Sequence, residues 1–460
     1  MKRVLFIGAT DPLTKVENYL RPLWPAYLAA YAEKHLGAGR LEFRFMTGKI
    51  EEELTSFKPD VVAISAITPN FGYAIEYART AKKAGLPVIV GGMHISALPD
   101  SLSGGMDIGC IGEGEETFLE LMRLFIGKGA FSKKDLAFIN GIVYFDETGR
   151  LVRTPKRKVI ESLDDIPHPK RSLIGYSHRE YLYTARGCQS KCVFCACNSH
   201  WGRVRYSSPE YVLEEIRELI ENGVKVIRIN EDNFIADKNR MMRISDLVVE
   251  NGFHRAVKFS CWCRANYVTP EVVAYLQAMN IVSVKMGLES GSERTLRYLK
   301  GGVTVKDNWT AVNLLKDAGM QVNGDFIIGA PEETEEEIMQ TYDFIKKSRL
   351  DFVDINLLSP LPGTAIWDYC IKRKLIDENI PWDAFQFKST ALILSQTLTG
   401  DKLDRIYKKF QRLRLYKTIK ALPGTPWLDE LPKIVAGRLL ELTARPLRRL
   451  TGFPSWLCNR

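Results

Sequence analysis

Short apolar segments alternate with helical runs along most of this 460-residue chain, and this alternation limits the folds it can adopt. The segments VVAIS at 61–65 and PVIV at 87–90 are apolar throughout, as are strands that are buried on both faces of a parallel sheet. When helices separate such strands, the pattern predicts parallel sheets with helices packed on them. The sequence therefore predicts an α/β protein, and its length predicts more than one domain.

The alternation falls into two series, which we interpret as two domains. We expect a doubly wound, Rossmann-like (flavodoxin-like) sheet at residues 1–135 and a hairpin with a linker at 136–178. Six further β/α repeats predict a partial barrel of the TIM type at 179–395, followed by a helical, basic extension at 396–460. Ligands of both architectures lie beyond the carboxyl ends of the strands, where this chain places small and polar residues.

Charge and cysteine usage narrow the class of protein. The net charge of +9 comes from residues 401–460, which hold 14 Lys/Arg and 5 Asp/Glu, so the first 400 residues are neutral. A nucleic-acid partner is therefore not expected, because such enzymes are basic across their working face. Nine cysteines, mostly clustered, with no export signal predict a cytoplasmic protein with a metal site rather than a disulfide framework.

The densest cysteine cluster is ARGCQSKCVFCACNSH, which begins at Ala185. Three cysteines follow the spacing Cys188-x3-Cys192-x2-Cys195 directly after a predicted strand. Structural zinc sites take four ligands in paired spacings, whereas a 4Fe-4S cluster is held by cysteine thiolates. Three thiolates on a four-iron cluster leave one iron without a protein ligand, and that iron can bind a further molecule.

This motif, with Phe194 before the third cysteine, resembles that of the radical S-adenosylmethionine (radical SAM) superfamily. The resemblance implies that Cys188, Cys192 and Cys195 ligate a catalytic 4Fe-4S cluster, that SAM chelates the open iron, and that its cleavage yields a 5'-deoxyadenosyl radical. The segments INEDNF, GLESGS, GDFIIGAPEET and SPLPGT resemble later barrel segments of the family in the right order. They imply SAM contacts from Phe194, Glu231, Asp232, Arg264, Glu289 and Ser290.

Several roles stay open within this resemblance. Arg264 is expected to pair with the SAM carboxylate, because a guanidinium fork matches that group. Either Glu231 or Asp232 could contact SAM. Cys197 lies outside the motif spacing and is interpreted as a bystander thiol. Cys261 and Cys263 could donate a proton or hydrogen, or could simply be small buried residues.

The leading domain resembles the cobalamin-binding domain of one large radical SAM subfamily. The segments DVVAISAITPN, VIVGGMHISALPD and IGCIGEGEETF carry this resemblance. It implies cobalamin contacts from the strand ends, namely Ser65, Thr68, Gly91, Gly92, His94, Gly112, Glu113 and Gly114. The Asp-x-His-x-x-Gly triplet of domains that ligate cobalt is absent, so His94 is expected to pack or hydrogen-bond.

The basic extension contains LPKIVAGRLLELTARPLRRL, from Leu431 to Leu450, flanked by tryptophan and phenylalanine. The pattern slightly favours a helix packed on the barrel with a solvated basic side. A helix lying on an anionic membrane is the alternative, because arginine with interfacial aromatics is typical of one. The membrane interpretation predicts peripheral contact with the inner membrane face and a lipophilic small-molecule substrate.

Together the resemblances predict a cobalamin-dependent radical SAM enzyme, most simply a C-methyltransferase. Methylcobalamin would carry the methyl group to an unactivated carbon of a biosynthetic intermediate, and flavodoxin or ferredoxin would supply the electron. One alternative is a cobalamin-bearing cyclase or rearrangement enzyme without methyl transfer. Another is a non-catalytic cobalamin or iron–sulfur sensor. A tRNA methylthiotransferase fits poorly, because residues 1–180 contain only Cys110 and not the extra cysteine trio.

Overall fold

The computed structural model describes residues 1–10, 22–46, 49–377, 380–385 and 392–422. The first sheet comprises β1 (Lys2–Gly8), β2 (Leu41–Phe45), β3 (Val61–Ser65), β4 (Val88–Gly91), β5 (Ile108–Cys110), β6 (Ile142–Phe145) and β7 (Leu151–Arg153). The helices of this part are α1 (Trp24–Leu36), α2 (Ile50–Ser56), α3 (Phe71–Lys83), α4 (Met93–Ala97), α5 (Glu115–Lys128) and α6 (Lys133–Leu136).

The strands of the first sheet lie in the order β2-β1-β3-β4-β5-β6-β7, with β1 to β5 parallel. Alternate side chains of β1 enter two different cores. Phe6 packs in a core with residues of α1 and α5, whereas Ile7 packs with residues of α3. Burial on both faces explains why these strands are apolar throughout. The predicted doubly wound sheet is confirmed.

The hairpin that the sequence predicts belongs to this first sheet. Strands β6 and β7 add to the edge of β5 in antiparallel orientation. The hairpin had been assigned to the segment between the domains, because its alternation fixes a hairpin but not the sheet that it joins. The edge of the first sheet therefore lies beyond residue 135.

The second sheet comprises β8 (Arg179–Leu182), β11 (Val226–Ile229), β12 (Lys258–Cys263), β13 (Ile281–Glu289), β14 (Gln321–Ile328) and β15 (Phe352–Leu357). Its order is β15-β14-β13-β12-β11-β8, all parallel. A small antiparallel pair, β9 (Ala185–Arg186) and β10 (Arg205–Tyr206), flanks the cysteine loop. Among the described residues, the two edge strands β8 and β15 do not pair with each other. The six-stranded barrel is therefore partial, as predicted.

The helices of the second part are α7 (Cys197–Trp201), α8 (Pro209–Glu221), α9 (Lys238–Glu250), α10 (Phe253–Ala256), α11 (Pro270–Ala278), α12 (Glu293–Leu299), α13 (Val305–Asp317), α14 (Glu335–Lys347), α15 (Ala365–Lys372) and α16 (Gly400–Ala421). Local sequence fixes several helix starts. Thr304 with Asp307, and Thr334 with Glu337, form capping boxes that satisfy the first free N–H groups of α13 and α14.

Two contacts hold the segments around the barrel in place. The predicted linker is anchored by Arg171, which is fully buried between Glu180 and Glu215. After the barrel, Trp382 packs on the first part, with its ring centroid 4.4 Å from that of His94. The linker is therefore part of the packed structure rather than a free connection.

The C-terminal extension is described only as far as residue 422. Helix α16 packs on the barrel, where the Tyr407 hydroxyl donates to the carbonyl of Ile355 at 3.4 Å. The basic segment Leu431–Leu450 lies outside the described residues. Across the described part of the chain, no helix is both long and apolar enough to cross a membrane.

Candidate functional site

A cavity of about 860 Å³ lies between the two sheets and is lined by the carboxyl ends of strands from both. The first sheet contributes Ser65, Gly91, Gly92, Gly112, Glu113 and Gly114, and the barrel contributes Asn230, Glu231, Asp232, Arg264, Glu289 and Asn356. Strand ends are where both architectures bind ligands. Its volume is within the range of small-molecule and cofactor sites.

The three motif cysteines line this cavity together with Phe194. Their loop is fixed to the barrel by backbone hydrogen bonds through Val193. Its N–H donates to Leu299 O at 3.1 Å, and its carbonyl accepts from the N–H of Ile366 at 3.0 Å. The loop therefore presents its thiols to the cavity from a rigid support.

The thiols and their surroundings fit an iron–sulfur cluster. Among the described residues, no three His, Cys, Asp or Glu side chains converge on one ion position. A four-iron cluster does not require this, because each thiolate binds a different iron. Backbone N–H groups of Ser190 and Cys197 point at the sulfurs of Cys188 and Cys195, both at 3.5 Å.

Positive charge surrounds Cys192. The Nη1 of Arg264 lies 3.5 Å from Cys192 Sγ. Burial raises the pKa of the Cys192 thiol, and the charges of Lys300 and Arg264 oppose this rise. Two cations beside this half-buried thiol are suited to an anionic cluster and to the carboxylate of a bound amino acid.

Glu289 is held in an unusual conformation at the end of β13. Its φ is +58°, in the left-handed region that non-glycine residues rarely occupy. The pairing of β13 with β14 shifts register between Gly287 and Glu289, and the carboxylate lies 3.4 Å from Lys300 Nζ. Such strain concentrates at ligand sites, where the surrounding contacts fix a side chain in one direction. Burial raises the pKa of Glu289.

The two acidic residues after β11 have different partners. Glu231 accepts hydrogen bonds from Thr184 and Arg240 and is 4% exposed. Asp232 accepts a hydrogen bond from the thiol of Cys197 at 2.9 Å. Both line the cavity, so the choice between them as a SAM contact stays open. The Cys197 thiol therefore orients Asp232, a contact that the sequence analysis did not predict.

The other predicted thiols lie at the barrel wall. Cys261 and Cys263 are buried with their sulfurs 3.6 Å apart, and both pack in the core between the strands and the helices. Only Cys263 of the two also lines the cavity. This placement agrees with small core residues.

Two glycines on the rim of the first sheet leave room for a large ligand. A Cβ on Gly112 would meet nothing within 4 Å, and one on Gly91 would meet only Cys110 Cβ at 3.9 Å. Gly92 differs, because a Cβ there would lie 2.5 Å from the carbonyl oxygen of Ala66. Open space at Gly91 and Gly112 fits a cobalamin lying across the strand ends, whereas Gly92 is required for packing.

Three predicted cofactor contacts are absent from the described cavity lining: Thr68, His94 and Ser290. His94 is buried under Trp382, and its Nδ1 pairs with the hydroxyl of Thr68 at 3.1 Å. Burial lowers the pKa of His94 to about 3, so the ring is neutral. Ser290 Oγ instead pairs with Thr341 Oγ1 at 3.0 Å. These three side chains therefore contact other protein groups rather than the cavity.

The sequence analysis missed many of the lining residues, among them Arg186, Trp262, Lys300 and Asp325. Trp262 and Asp325 lie on the inward face of β12 and β14, alternating with the apolar residues that face the helices. Burial raises the pKa of Asp325 to about 7, against the attraction of Lys285. A period-two analysis of each barrel strand would have identified the inward positions. Lys300 follows a helix and had no such signal.

Replacing Glu333 by glutamine is expected to stabilise the protein near pH 8 and to have little effect near pH 5. Glu333 accepts from the N–H groups of Gly329 and Ala330 at 2.7 and 3.2 Å, and burial raises its pKa from 4.5 to about 8. In the unfolded chain Glu333 loses its proton above about pH 4.5, whereas in the folded chain it keeps the proton up to about pH 8. The stability of the wild type therefore decreases as the pH rises from about 4.5 to about 8.

The expected gain from Glu333→Gln near pH 8 is on the order of 4 kcal/mol, because the pKa is raised from 4.5 to about 8 and each pKa unit corresponds to about 1.4 kcal/mol. Thermal unfolding of both proteins across this pH range measures it. Glu332→Gln, at the exposed neighbouring position, is the matched control. Parallel pH profiles for Glu333→Gln and wild type would contradict the raised pKa.

Comparison with known proteins agrees with this geometry. The family model of the radical SAM superfamily matches residues 182–345, and that of the B12 binding domain matches residues 10–122. An uncharacterized methyltransferase of Pyrococcus horikoshii is 32% identical over 402 residues, which are 82% of each chain. The anaerobic magnesium-protoporphyrin IX monomethyl ester cyclase of Cereibacter sphaeroides is 25% identical and aligns with 88% of this chain and 68% of its own.

A solved structure has the same fold. The radical SAM methyltransferase TsrM from Kitasatospora setae, with cobalamin and its 4Fe-4S cluster bound, superposes with a TM-score of 0.69 at 19% identity. The match covers 81% of this chain and 78% of TsrM. The chain therefore belongs to the radical SAM superfamily, as an enzyme that joins a B12 binding domain to a radical SAM barrel and uses a 4Fe-4S cluster, SAM and cobalamin.

Proposed function

We propose that this enzyme transfers a methyl group from SAM to an unactivated carbon of a lipophilic biosynthetic intermediate. The supporting observation is the single cavity that the cysteine loop, the barrel strand ends and the glycine rim of the first sheet all line. A shared cavity allows a substrate carbon to lie within reach of both cofactor sites. Methyl transfer between two cofactors requires that proximity.

When bound, the cluster and SAM supply a hydrogen-abstracting radical, and cobalamin supplies a carrier for the methyl group. The chain holds and orients these groups. Cys188, Cys192 and Cys195 would hold the cluster, and Arg264 would bind the SAM carboxylate. The open rim at Gly91 and Gly112 would support the corrin face. Aromatic lining residues would exclude water from the reacting carbon: Trp24, Tyr27, Phe118, Phe194, Trp201, Tyr211 and Trp262.

A cyclase without methyl transfer is the second candidate. It is favoured by the similarity to the Cereibacter sphaeroides cyclase, which is named for a magnesium-protoporphyrin ester. The methyltransferase is preferred because the more similar relative from Pyrococcus horikoshii carries that name. Both candidates fit a lipophilic substrate, and both require a reductant, which we expect to be flavodoxin or ferredoxin.

The decisive experiment uses SAM with a deuterated methyl group. The anaerobically reconstituted enzyme is mixed with cobalamin and a chemical reductant, and the corrin fraction and 5'-deoxyadenosine are analysed by mass spectrometry. We expect deuterium in the corrin fraction together with 5'-deoxyadenosine. Deoxyadenosine without deuterium in the corrin would support the cyclase. Absence of SAM cleavage by a protein with an intact, reducible cluster would support a sensor.

Removal of the basic tail is expected to weaken binding to anionic vesicles. The part of the tail after Leu422 holds 6 Lys/Arg and 3 Asp/Glu, and each Lys or Arg near such a surface contributes about 1 kcal/mol. Co-sedimentation with phosphatidylserine vesicles compares the full chain with one ending at Leu422. Neutral vesicles are the control. Equal, weak sedimentation of both chains would remove the proposed membrane contact.

A further inference from the structure

Two arginines face each other at the base of the cysteine loop. Arg186 in β9 and Arg205 in β10 are register partners in an antiparallel pair, and the loop between them carries all three motif cysteines. Their side chains are only 12% and 4% exposed. Like charges directly opposite each other destabilise a strand pair unless acidic groups compensate them. The base of the loop therefore depends on its counter-ions.

Those counter-ions come from the other domain. Glu113, on the loop between β5 and α5, lies 3.4 Å from Arg186 Nη1 and accepts from Arg205 Nη1 at 3.1 Å and from Arg205 Nη2. Its carboxylate also accepts from the backbone N–H of Ile160 at 3.1 Å. Glu115, at the start of α5, pairs with Arg186 alone. Glu113 is thus the carboxylate that bridges both strands of the hairpin.

Burial makes this bridge important. The Glu113 side chain is 5% exposed, and the hydrogen bonds from Arg205 lower its pKa, although burial acts in the opposite direction. Removing one partner of a buried ion pair leaves an uncompensated charge, which is strongly unfavourable. Without Glu113, Arg205 would lose its carboxylate partner and would face Arg186 directly.

The same residue touches the cofactor rim. Glu113 lies between Gly112 and Gly114, and all three line the cavity. The hairpin is closed at Gly187, where φ is +92° and a Cβ would meet Arg203 O at 2.8 Å. A displacement of this rim would therefore move the Glu113 carboxylate. The two hairpin strands on either side of the cysteine loop would move with it, because Glu113 contacts an arginine on each. Glu113, which is predicted to contact cobalamin, therefore lines the cavity while its carboxylate is held by two guanidinium groups.

We propose that Glu113 is a positioning residue that couples cobalamin binding in the first domain to retention of the cluster in the cysteine loop. This inference requires that the enzyme binds both cobalamin and the 4Fe-4S cluster, but it does not require methyl transfer to a substrate. Because coupling between two sites is reciprocal, each cofactor should strengthen binding of the other by the same factor. Glu113→Gln should abolish that factor.

The test measures the Kd of hydroxocobalamin for cluster-loaded and cluster-free protein under anaerobic conditions. For wild type we expect at least about fivefold tighter binding to the cluster-loaded form. For Glu113→Gln the two Kd values should be equal. A second measurement needs no cofactor: amide hydrogen exchange at residues 187–204 should be faster in Glu113→Gln than in wild type.

Glu116→Gln is the matched control, since Glu116 lies close by in the first turn of α5 and pairs with Arg157 at 3.3 Å, away from the hairpin. It should retain the wild-type ratio. If circular dichroism shows that Glu113→Gln does not fold, Arg205→Lys replaces it, because lysine keeps the charge but loses the fork. The proposal would be overturned if wild type bound hydroxocobalamin with the same Kd with and without the cluster. It would also be overturned if the Glu113→Gln or Arg205→Lys variant kept the wild-type ratio of the two Kd values. Failure of methyl transfer with this ratio intact would count only against the proposed reaction.

Discussion

Replacing Arg171 by methionine is expected to lower the free energy of unfolding by about 3–5 kcal/mol, the usual loss when one partner of a buried ion pair is removed. Arg171 Nη1 donates to Glu180 at 3.2 Å, and Nη2 donates to the Tyr181 carbonyl at 2.6 Å and to Glu215. The side chains of Arg171 and Glu215 are completely buried. The variant would leave two buried carboxylates without their cation.

Thermal and denaturant unfolding of Arg171→Met measure this effect. Lys170→Met is the control, because Lys170 pairs with Glu33 at the exposed surface, where ion pairs contribute little. The double variant Arg171→Met/Glu215→Leu should recover part of the loss, since it removes one of the unpaired carboxylates. A single variant as stable as the Lys170→Met control would show that the linker is not anchored through this triad.

Replacing any one of Cys188, Cys192 and Cys195 by alanine is expected to abolish reductive SAM cleavage. A cluster held by only two thiolates is lost or changes type, and SAM then has no iron to chelate. Iron and sulfide content after anaerobic reconstitution, with 5'-deoxyadenosine formation, measure the outcome. The three variants should hold little iron and should cleave SAM at the background rate.

Cys197→Ala is the internal control for these variants. Its thiol donates to Asp232 and lies outside the Cys188-x3-Cys192-x2-Cys195 spacing, so the variant should retain its iron. We expect weaker SAM binding from the less well oriented Asp232, and Cys197→Ser should restore it by replacing the donor. Loss of iron from Cys197→Ala, or full iron in Cys192→Ala, would contradict the assignment of the three ligands.

Hydrophobic periodicity predicted the fold closely. The predicted strand 61–65 has the bounds of β3, and the predicted strand 87–90 overlaps β4, because buried parallel strands carry a strong local signal. The sheet that receives the hairpin could not be predicted, since strand pairing across domains has no local signature.

The candidate site was predicted only where a linear motif carries the chemistry. The cysteine spacing and the residues after the barrel strands identified most of the cavity lining on one side. On the other side, Thr68 and His94 follow the strand ends of the first sheet, yet Trp382, distant in sequence, covers His94. Glu113 was assigned to a ligand because the two arginines that bind it lie 73 and 92 residues further along the chain. Tertiary contacts of that range are not encoded locally.

The antiparallel hairpin at the edge of the first sheet also affects association between chains. An unpaired edge strand offers free N–H and C=O groups to which a neighbouring molecule can add. Here β6 covers the edge of β5, and the outermost strand, β7, is only three residues long. Few backbone groups are left on that side to template intermolecular β-pairing. This edge is therefore a poor template for edge-to-edge aggregation.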